Sequence, residues 1–312
     1  MNTKWTQKEK NILQKHYNNT EKEKLEKMLP ERSWDSIMQY AQKLNLKRSY
    51  DLIRDTNVKK LLEETPLSYY WMGFLMADGS FSEKRIRLRL GIKDLNHIKK
   101  FAEFISANYS DGSNKCSDKY YDNCSVCASN SDIVPLLRQK FEIQNNKTHH
   151  PCNISKIEDK NLLLSLIIGF IDGDGSIRKQ SGRQDCQMTI KCYHSWLPNL
   201  QFISDAVCKC CDLKPNTAKI NKDGYAVINF TNSIILKFLK TKGKDLKLPV
   251  LNRKWSRIDE NYISKFEKYI YILEEVKILI QEGLQEYDIS QIVNRSPSSI
   301  YQMIKKHNLR KP

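Results

Sequence analysis

The sequence predicts an α+β chain: two related units, each built from one apolar helix, strands and further helices, set between two small helical segments. Three observations carry this. A nine-residue pattern, Trp71-Met72-Gly73-Phe74-Leu75-Met76-Ala77-Asp78-Gly79 followed by Ser80-Phe81, returns as Ile167-Ile168-Gly169-Phe170-Ile171-Asp172-Gly173-Asp174-Gly175 followed by Ser176-Ile177. The two copies lie a domain's length apart, so a domain-sized unit is repeated. Each copy is followed by a run that alternates with period two, first Arg85-Ile86-Arg87-Leu88-Arg89-Leu90 and then Gln187-Met188-Thr189-Ile190-Lys191-Cys192-Tyr193, which is the pattern of a half-buried strand. Both ends of the chain show helical spacing punctuated by Ser, Thr and Pro.

Each repeated stretch reads as the end of an apolar helix. Gly73 and Ala77 are four apart, as are Gly169 and Gly173, and positions i and i+4 share a helix face. Two small residues there make a low surface on which another helix can lie close, as is best documented in membranes. The pairing predicts that the two helices pack on these faces, bringing Asp78 and Asp174 side by side. Gly79 and Gly175 sit where a left-handed residue closes a helix. Two carboxylates at helix C-termini meet the negative ends of the dipoles and repel one another. A divalent cation between them removes both penalties, and hard cations such as magnesium take carboxylate and carbonyl oxygens. An isolated Asp-Gly after an apolar run is as readily a helix stop or hairpin turn; the matched duplication is what favours a site.

In chain order, residues 1–48 form a small helical unit. Thr6 caps a helix to about Tyr17, Asn19-Thr20 opens a second over Glu21–Leu29, and Ser33 caps a third over Trp34–Leu44. Residues 49–65 are charged and read as a partly helical linker. The first unit spans 66–155 and the second 156–260. Arg85, Arg87 and Arg89 fall on the polar face of the first alternating strand, and Gln187, Thr189, Lys191 and Tyr193 on that of the second. Helices follow at Asp94 to Asn108, Asp132–Phe141, Trp196–Cys211 and Ile234–Lys240, with a strand at Tyr121–Ser129. A hairpin across Lys222-Asp223-Gly224 turns Lys219, Asn221, Val227 and Asn229 away from the apolar side. Such strands read either as solvated faces or as a ribbon presenting side chains to base edges. Each unit closes on a basic, Pro-containing return, through Lys147 before Pro151 and through Arg253-Lys254 after Pro249. Residues 261–312 are helical again, with Ser296-Pro297 placing Pro at a helix's first turn.

The chain has 312 residues, with 52 Lys+Arg against 36 Asp+Glu, a formal charge of +16. That balance calls for a polyanion as partner, nucleic acid first and an acidic membrane surface second. No amphipathic lipid-binding stretch or secretion signal is present, and Leu162–Ile171 is short of the ~20 apolar residues a membrane span needs. The 9 cysteines are odd in number and scattered, which fits a reducing compartment. Cys124-x-x-Cys127 and Cys208-x-Cys210-Cys211 do not match as zinc pairs, and free buried thiols are the favoured reading.

At the repeated motifs the chain resembles the LAGLIDADG homing endonucleases in their single-chain, two-motif form, over roughly Pro66 to Asp259. The resemblance implies a pseudo-twofold pair of αββαββα units forming a DNA-binding β-saddle. It implies that Asp78 and Asp174, with the carbonyls of Ala77 and Gly173, hold Mg2+ (Mn2+ or Ca2+ substituting for binding), and that Lys147 and Lys254, or Arg253, stand beside the scissile phosphate. The sixth motif position, often acidic in that family, is Asp172 in one copy and Met76 in the other, and Trp71 stands where Leu is usual. The implied activity is hydrolysis of both strands of a long specific duplex, leaving short 3′ overhangs and mobilising an intron or its own gene, by a monomer working inside the cell at DNA, in a prokaryotic or phage-infected cytoplasm or an organelle.

Trp5, the Leu29-to-Trp34 turn and Ile37 resemble a Myb/SANT helix-turn-helix, with Ser36, Gln39, Tyr40 and Lys43 toward the groove. Asp288-Ile289 and Ser296-Pro297-Ser298-Ser299-Ile300 resemble a resolvase-type one, offering Ser298, Ser299, Gln302 and Lys305. Two other readings stay open: a non-catalytic DNA-binding regulator of the same fold, and an RNA maturase that assists intron splicing.

Overall fold

A computed structural model describes residues 4–18, 20, 22–47, 56–116, 119–179 and 185–309. Asn19, Glu21, Arg48, the linker residues 49–55 and the terminal Arg310 and Lys311 lie outside the described residues, as does the Tyr121 side chain.

Helices α1 (Gln7–His16), α2 (Lys22–Met28) and α3 (Trp34–Lys43) close on a core of their own: Leu13, Tyr17, Leu25, Leu29, Ile37 and Ala41. Thr6 and Glu9 form a capping box at the start of α1, which satisfies amide groups that no helical carbonyl reaches. The Arg32 guanidinium meets Glu9 at 2.7 Å and lies over the Trp5 ring at 4.8 Å, so the turn before α3 is pinned to the start of α1.

Two repeated units share one larger core. The first runs α4 (Pro66–Asp78), β1 (Gly79–Phe81), β2 (Arg85–Gly91), α5 (Leu95–Phe104), β3 (Tyr109–Cys116), β4 (Lys119–Ser129) and α6 (Ile133–Lys140). The second runs α7 (Lys160–Asp174), β5 (Gly175–Lys179), β6 (Cys186–Tyr193), α8 (Leu197–Cys210), β7 (Lys219–Ile220), β8 (Tyr225–Phe230) and α9 (Ser233–Asp245). Each unit is αββαββα, and each sheet is antiparallel with the same order, β1-β2-β4-β3 and β5-β6-β8-β7. The fold class is α+β with a pseudo-twofold pair of units. Val58 and Leu61, in a short 3-10 turn over Val58–Leu62, also belong to this core.

Helices α4 and α7 are capped by Thr65 and Asp159 and are apolar nearly all round, as befits helices at the centre of a core. They pack on the predicted faces. A Cβ at Gly73 would lie 1.9 Å from the Leu166 carbonyl oxygen, and one at Gly169 would lie 1.9 Å from that of Tyr70. The contact is therefore backbone against backbone, which only glycine permits.

The strand alternation holds in three dimensions. Ile86, Leu88 and Leu90 are buried while Arg85, Arg87 and Arg89 are exposed. The helix expected at Asp94 to Asn108 is shorter, Leu95–Phe104, because Ser106 takes a left-handed backbone at φ 50° and turns the chain out. Gly79 and Gly175 are not left-handed caps: their φ values are −77° and −79°, in the extended region. The chain leaves each helix straight into a strand. Glycine is needed there because a Cβ would fall 2.5 Å from the carbonyl oxygen of Leu75 or Ile171.

The short α10 (Asn252–Trp255) follows the second unit, and a third core forms where α11 (Lys265–Gln281), α12 (Glu286–Ile292) and α13 (Pro297–His307) meet, around Leu273, Val276, Ile289, Ile300 and Ile304. The start of α11 is fastened to α9. Glu267, in a capping box with Ser264, accepts from Ser233 Oγ at 2.6 Å and pairs with Lys237 at 2.8 Å.

Candidate functional site

The two motif helices end together, and each C-terminus is closed by a lysine from the return that follows its own unit. Lys147 Nζ donates to the carbonyls of Met76 at 2.7 Å and Ala77 at 2.6 Å. Lys254 Nζ shares its three N–H groups among four: Ile171 at 3.1 Å, Asp172 at 2.5 Å, Gly173 at 3.0 Å and Gly175 at 2.6 Å. A cation at a helix C-terminus meets orphan carbonyls and the negative end of the dipole at once. Burial, the leading influence, draws both ammonium groups below their ordinary pKa; Asp174 opposes this first at Lys147, and Asp172 at Lys254.

Asp78 and Asp174 follow directly. Both reach solvent, but protein walls them on their other sides. Desolvation holds Asp78 above the ordinary carboxylate range, against the nearby charges of Lys254 and Lys147. It lifts Asp174 to about 6, and the negative charge of Asp78 is the next cause. The Cys192 thiol also points at Asp174 Oδ2, 3.7 Å away. Packing has thus placed the two carboxylates where the charge of Asp78 adds to the cost of ionising Asp174.

A hard divalent cation fits these carboxylates, since it would remove the repulsion that lifts Asp174. The expected carbonyl ligands are differently placed: Ala77 O and Gly173 O are the atoms on which the lysine ammonium groups sit. Among the described residues no group of three or more His, Cys, Asp and Glu side chains converges on one point. Cys124 and Cys127, three apart on β4, fall on opposite faces of the strand.

Asp172 is 1 % exposed. Its carboxylate accepts from Tyr70 Oη at 2.7 Å, the Leu251 amide at 3.0 Å and Trp255 Nε1 at 2.7 Å. It is a joint between α4, α7 and the second return, and sequence reasoning placed no such role on it. Arg253, offered as an alternative to Lys254, instead makes a two-pronged pair with Asp94 of the first unit, at 2.6 and 2.7 Å. The second unit answers at the corresponding place, where Trp196 Nε1 donates to the Lys147 carbonyl at 3.2 Å. Each return is held by the opposite unit. The only sequence signal for this was the Trp and basic residues clustered after Pro249.

The remaining candidates spread over three surfaces. On the first sheet Arg85, Arg87 and Arg89 are exposed. On the second, Asn229 Oδ1 accepts from Gln187 at 2.9 Å and from Thr189 at 2.6 Å, so these three side chains form one polar row. Lys191 lies over the Tyr225 ring at 4.4 Å, Tyr193 pairs in register with Tyr225, and Lys219 is exposed. Asn221 is spent on the hairpin, where its side chain accepts from the amides of Asp223 and Tyr225. On the N-terminal unit Gln39 and Lys43 are exposed, whereas Tyr40 is stacked on Trp5 with ring centroids 4.4 Å apart. On α13 Ser298, Ser299, Gln302 and Lys305 are all exposed. No helix among the described residues is long and apolar enough to cross a membrane.

No protein-family model matches the chain, and no curated protein sequence matches it. Solved structures do. A full-length DUF199/WhiA protein from Thermatoga maritima is similar with a TM-score of 0.38 and 14% identity, over 80% of this chain and 94% of that one. The LAGLIDADG homing endonuclease I-GzeII, in complex with its DNA target, gives 0.42 and 10% over 74% of this chain and 96% of the other. I-DmoI, in complex with DNA and Ca, gives 0.41 and 12% over 63% and 96%. The likeness is one of fold.

Proposed function

We propose that this protein is a metal-dependent DNA endonuclease with a long duplex target. The observation that carries the reading is the meeting of Asp78 and Asp174 at the ends of two glycine-packed helices, beside sheets whose outward faces are Arg-, Lys- and Asn-bearing. Asp78 and Asp174 would hold magnesium, with Ala77 O and Gly173 O in reach once the lysine ammonium groups give way. The metal, when bound, supplies charge neutralisation at the attacking and leaving oxygens of a phosphodiester. Lys147 and Lys254 keep the helix ends closed; Lys147, which lines the opening beside Asp174, would be the one to face a phosphate, whereas Lys254, 7 % exposed, would first have to leave its carbonyls. The three-helix units at either end add phosphate and groove contacts outside the central site, Gln39 and Lys43 on one and Ser298, Ser299, Gln302 and Lys305 on the other.

A second reading, a DNA-binding protein that does not cut, is favoured by one observation: both carbonyls expected as metal ligands already carry a lysine. One experiment separates them. The protein is incubated with a plasmid carrying its own insertion locus without the insert, with and without magnesium. Linear product that requires magnesium supports the endonuclease. Specific, magnesium-independent binding with neither nicked nor linear product supports the regulator.

A further inference from the structure

The two units are alike in backbone but not in what lines the ground beside their acids. Beside Asp174 lies a cavity of about 590 Å³, walled by Lys147, His149, Lys191, Tyr193, Trp196 and Tyr225. Its aromatic part comes from matched positions: Tyr193 and Tyr225 are register partners across β6 and β8. The units superimpose by register, since Gly79 pairs with Leu88 and Gly175 with Ile190. Counting along from Leu88 and Ile190, the places of Tyr193 and Tyr225 are taken in the first unit by Gly91 and Asn123, themselves register partners. One half of a pseudo-symmetric site has aromatic rings next to its carboxylate; the other has a glycine and an amide.

The rings are also held in place. His149 meets the Tyr193 ring edge-on at a centroid distance of 4.2 Å, and Lys191 stands over the Tyr225 ring at 4.4 Å. The segment carrying His149 is tied down because Ser195 Oγ donates to the Thr148 carbonyl at 3.0 Å. Tyr225 is 41% exposed, so its ring reaches the opening rather than the core. Fixed aromatic rings with an ammonium group alongside are what a single unstacked nucleotide requires: a π-face for the base and a cation for its phosphate. The volume lies within the range of small-ligand sites.

We propose that this cavity receives one unstacked nucleobase of the bound nucleic acid, on the Asp174 side only. The inference rests on the DNA reading above and deepens it: the second unit distorts its strand by taking a base out of the stack, and the first unit does not. Unstacking costs free energy in a paired duplex and much less where the base is already unpaired.

Two fluorescein-labelled duplexes of mixed sequence test this, one fully paired and one identical but for a single extrahelical adenine. Binding is measured by anisotropy at low salt in calcium. The full-length protein is expected to bind the second roughly tenfold more tightly, the scale of one base stacked on an aromatic ring. Tyr193→Ala with Tyr225→Ala should make the two duplexes bind equally, whatever that variant's affinity for the paired one, while Tyr193→Phe with Tyr225→Phe should keep the preference. A duplex with an extrahelical 5-iodouracil should photocrosslink in the unaltered protein to Tyr193 or Tyr225. Equal affinity of the unaltered protein for the two duplexes, a preference that survives the double alanine variant, or crosslinks found only elsewhere would overturn the proposal while leaving the DNA reading intact. Failure to bind even the paired duplex would overturn both.

Discussion

The hydroxyl of Tyr70 donates to the buried carboxylate of Asp172 at 2.7 Å, and this bond runs from the first motif helix to the second. With the Leu251 amide and Trp255 Nε1 on the same carboxylate, it fixes the segment that carries Lys254. All three partners are donors. Desolvation, the largest influence, lifts Asp172 to about 6, and these bonds pull the other way.

Asp172→Asn is therefore expected to destabilise the protein by about 1–3 kcal/mol, because the new amide NH2 must face a donor and leaves it unsatisfied. Chemical denaturation checks this. From the sequence alone, Asp172→Asn is expected to cause no loss of cleavage comparable to that at Asp78 or Asp174, since Met76 stands at the matching place; an unchanged unfolding midpoint would show that the three bonds to Asp172 contribute little to stability.

Asp78→Asn and Asp174→Asn should each abolish linear product while DNA binding persists. Each removes a charge that holds metal and also relieves the repulsion between the pair. Gel assays of cleavage and binding on the same samples read the two effects apart. A double variant that still linearises its target in magnesium would put the chemistry elsewhere.

Acidic pH should weaken the site before it unfolds the protein. Asp174 binds its proton at about 6 in the fold and at 3.8 ordinarily. The folded state thus favours the protonated form, and this group's contribution to stability is present below the ordinary value and lost as pH rises through about 6. Metal needs the opposite form. Manganese affinity by calorimetry should fall as pH drops through about 6, and Asp174→Asn should flatten the change in thermal midpoint across that interval. A manganese affinity constant across it would contradict the assignment.

Gly169→Ala should cost about 3 kcal/mol or more, since its Cβ would meet the Tyr70 carbonyl oxygen at 1.9 Å and only separation of the helices relieves the clash. Loss of both DNA cleavage and thermal stability is expected. Gly112→Ala, on an exposed strand where a Cβ meets nothing within 4 Å, is the matched control.

Lys254→Met should lower the thermal midpoint more than Lys147→Met. The first lysine is 7 % exposed and satisfies four carbonyls, the second only two. Each buried acceptor left without a donor costs about 1–3 kcal/mol. Equal shifts would mean that water replaces both ammonium groups.

The duplicated motif determined a great deal by itself. Gly73 with Ala77 and Gly169 with Gly173 recur at i and i+4, and that periodicity depends only on helix geometry, so the packed face and the meeting of Asp78 with Asp174 were legible before any coordinates. The Arg85, Arg87 and Arg89 face was legible for the same reason, because side chains alternate along any strand. What joins residues far apart in sequence was not. Lys147 and Lys254 were marked as basic neighbours of the site, but their seats on the helix carbonyls, the Arg253–Asp94 pair and the three donors on Asp172 follow from how the two returns cross between units. The pairing of Tyr193 with Tyr225 likewise needed the strand register. Local periodicity is written in each segment, whereas a buried polar group takes whichever partner the closed fold sets within hydrogen-bond reach, and only the tertiary structure decides which one that is.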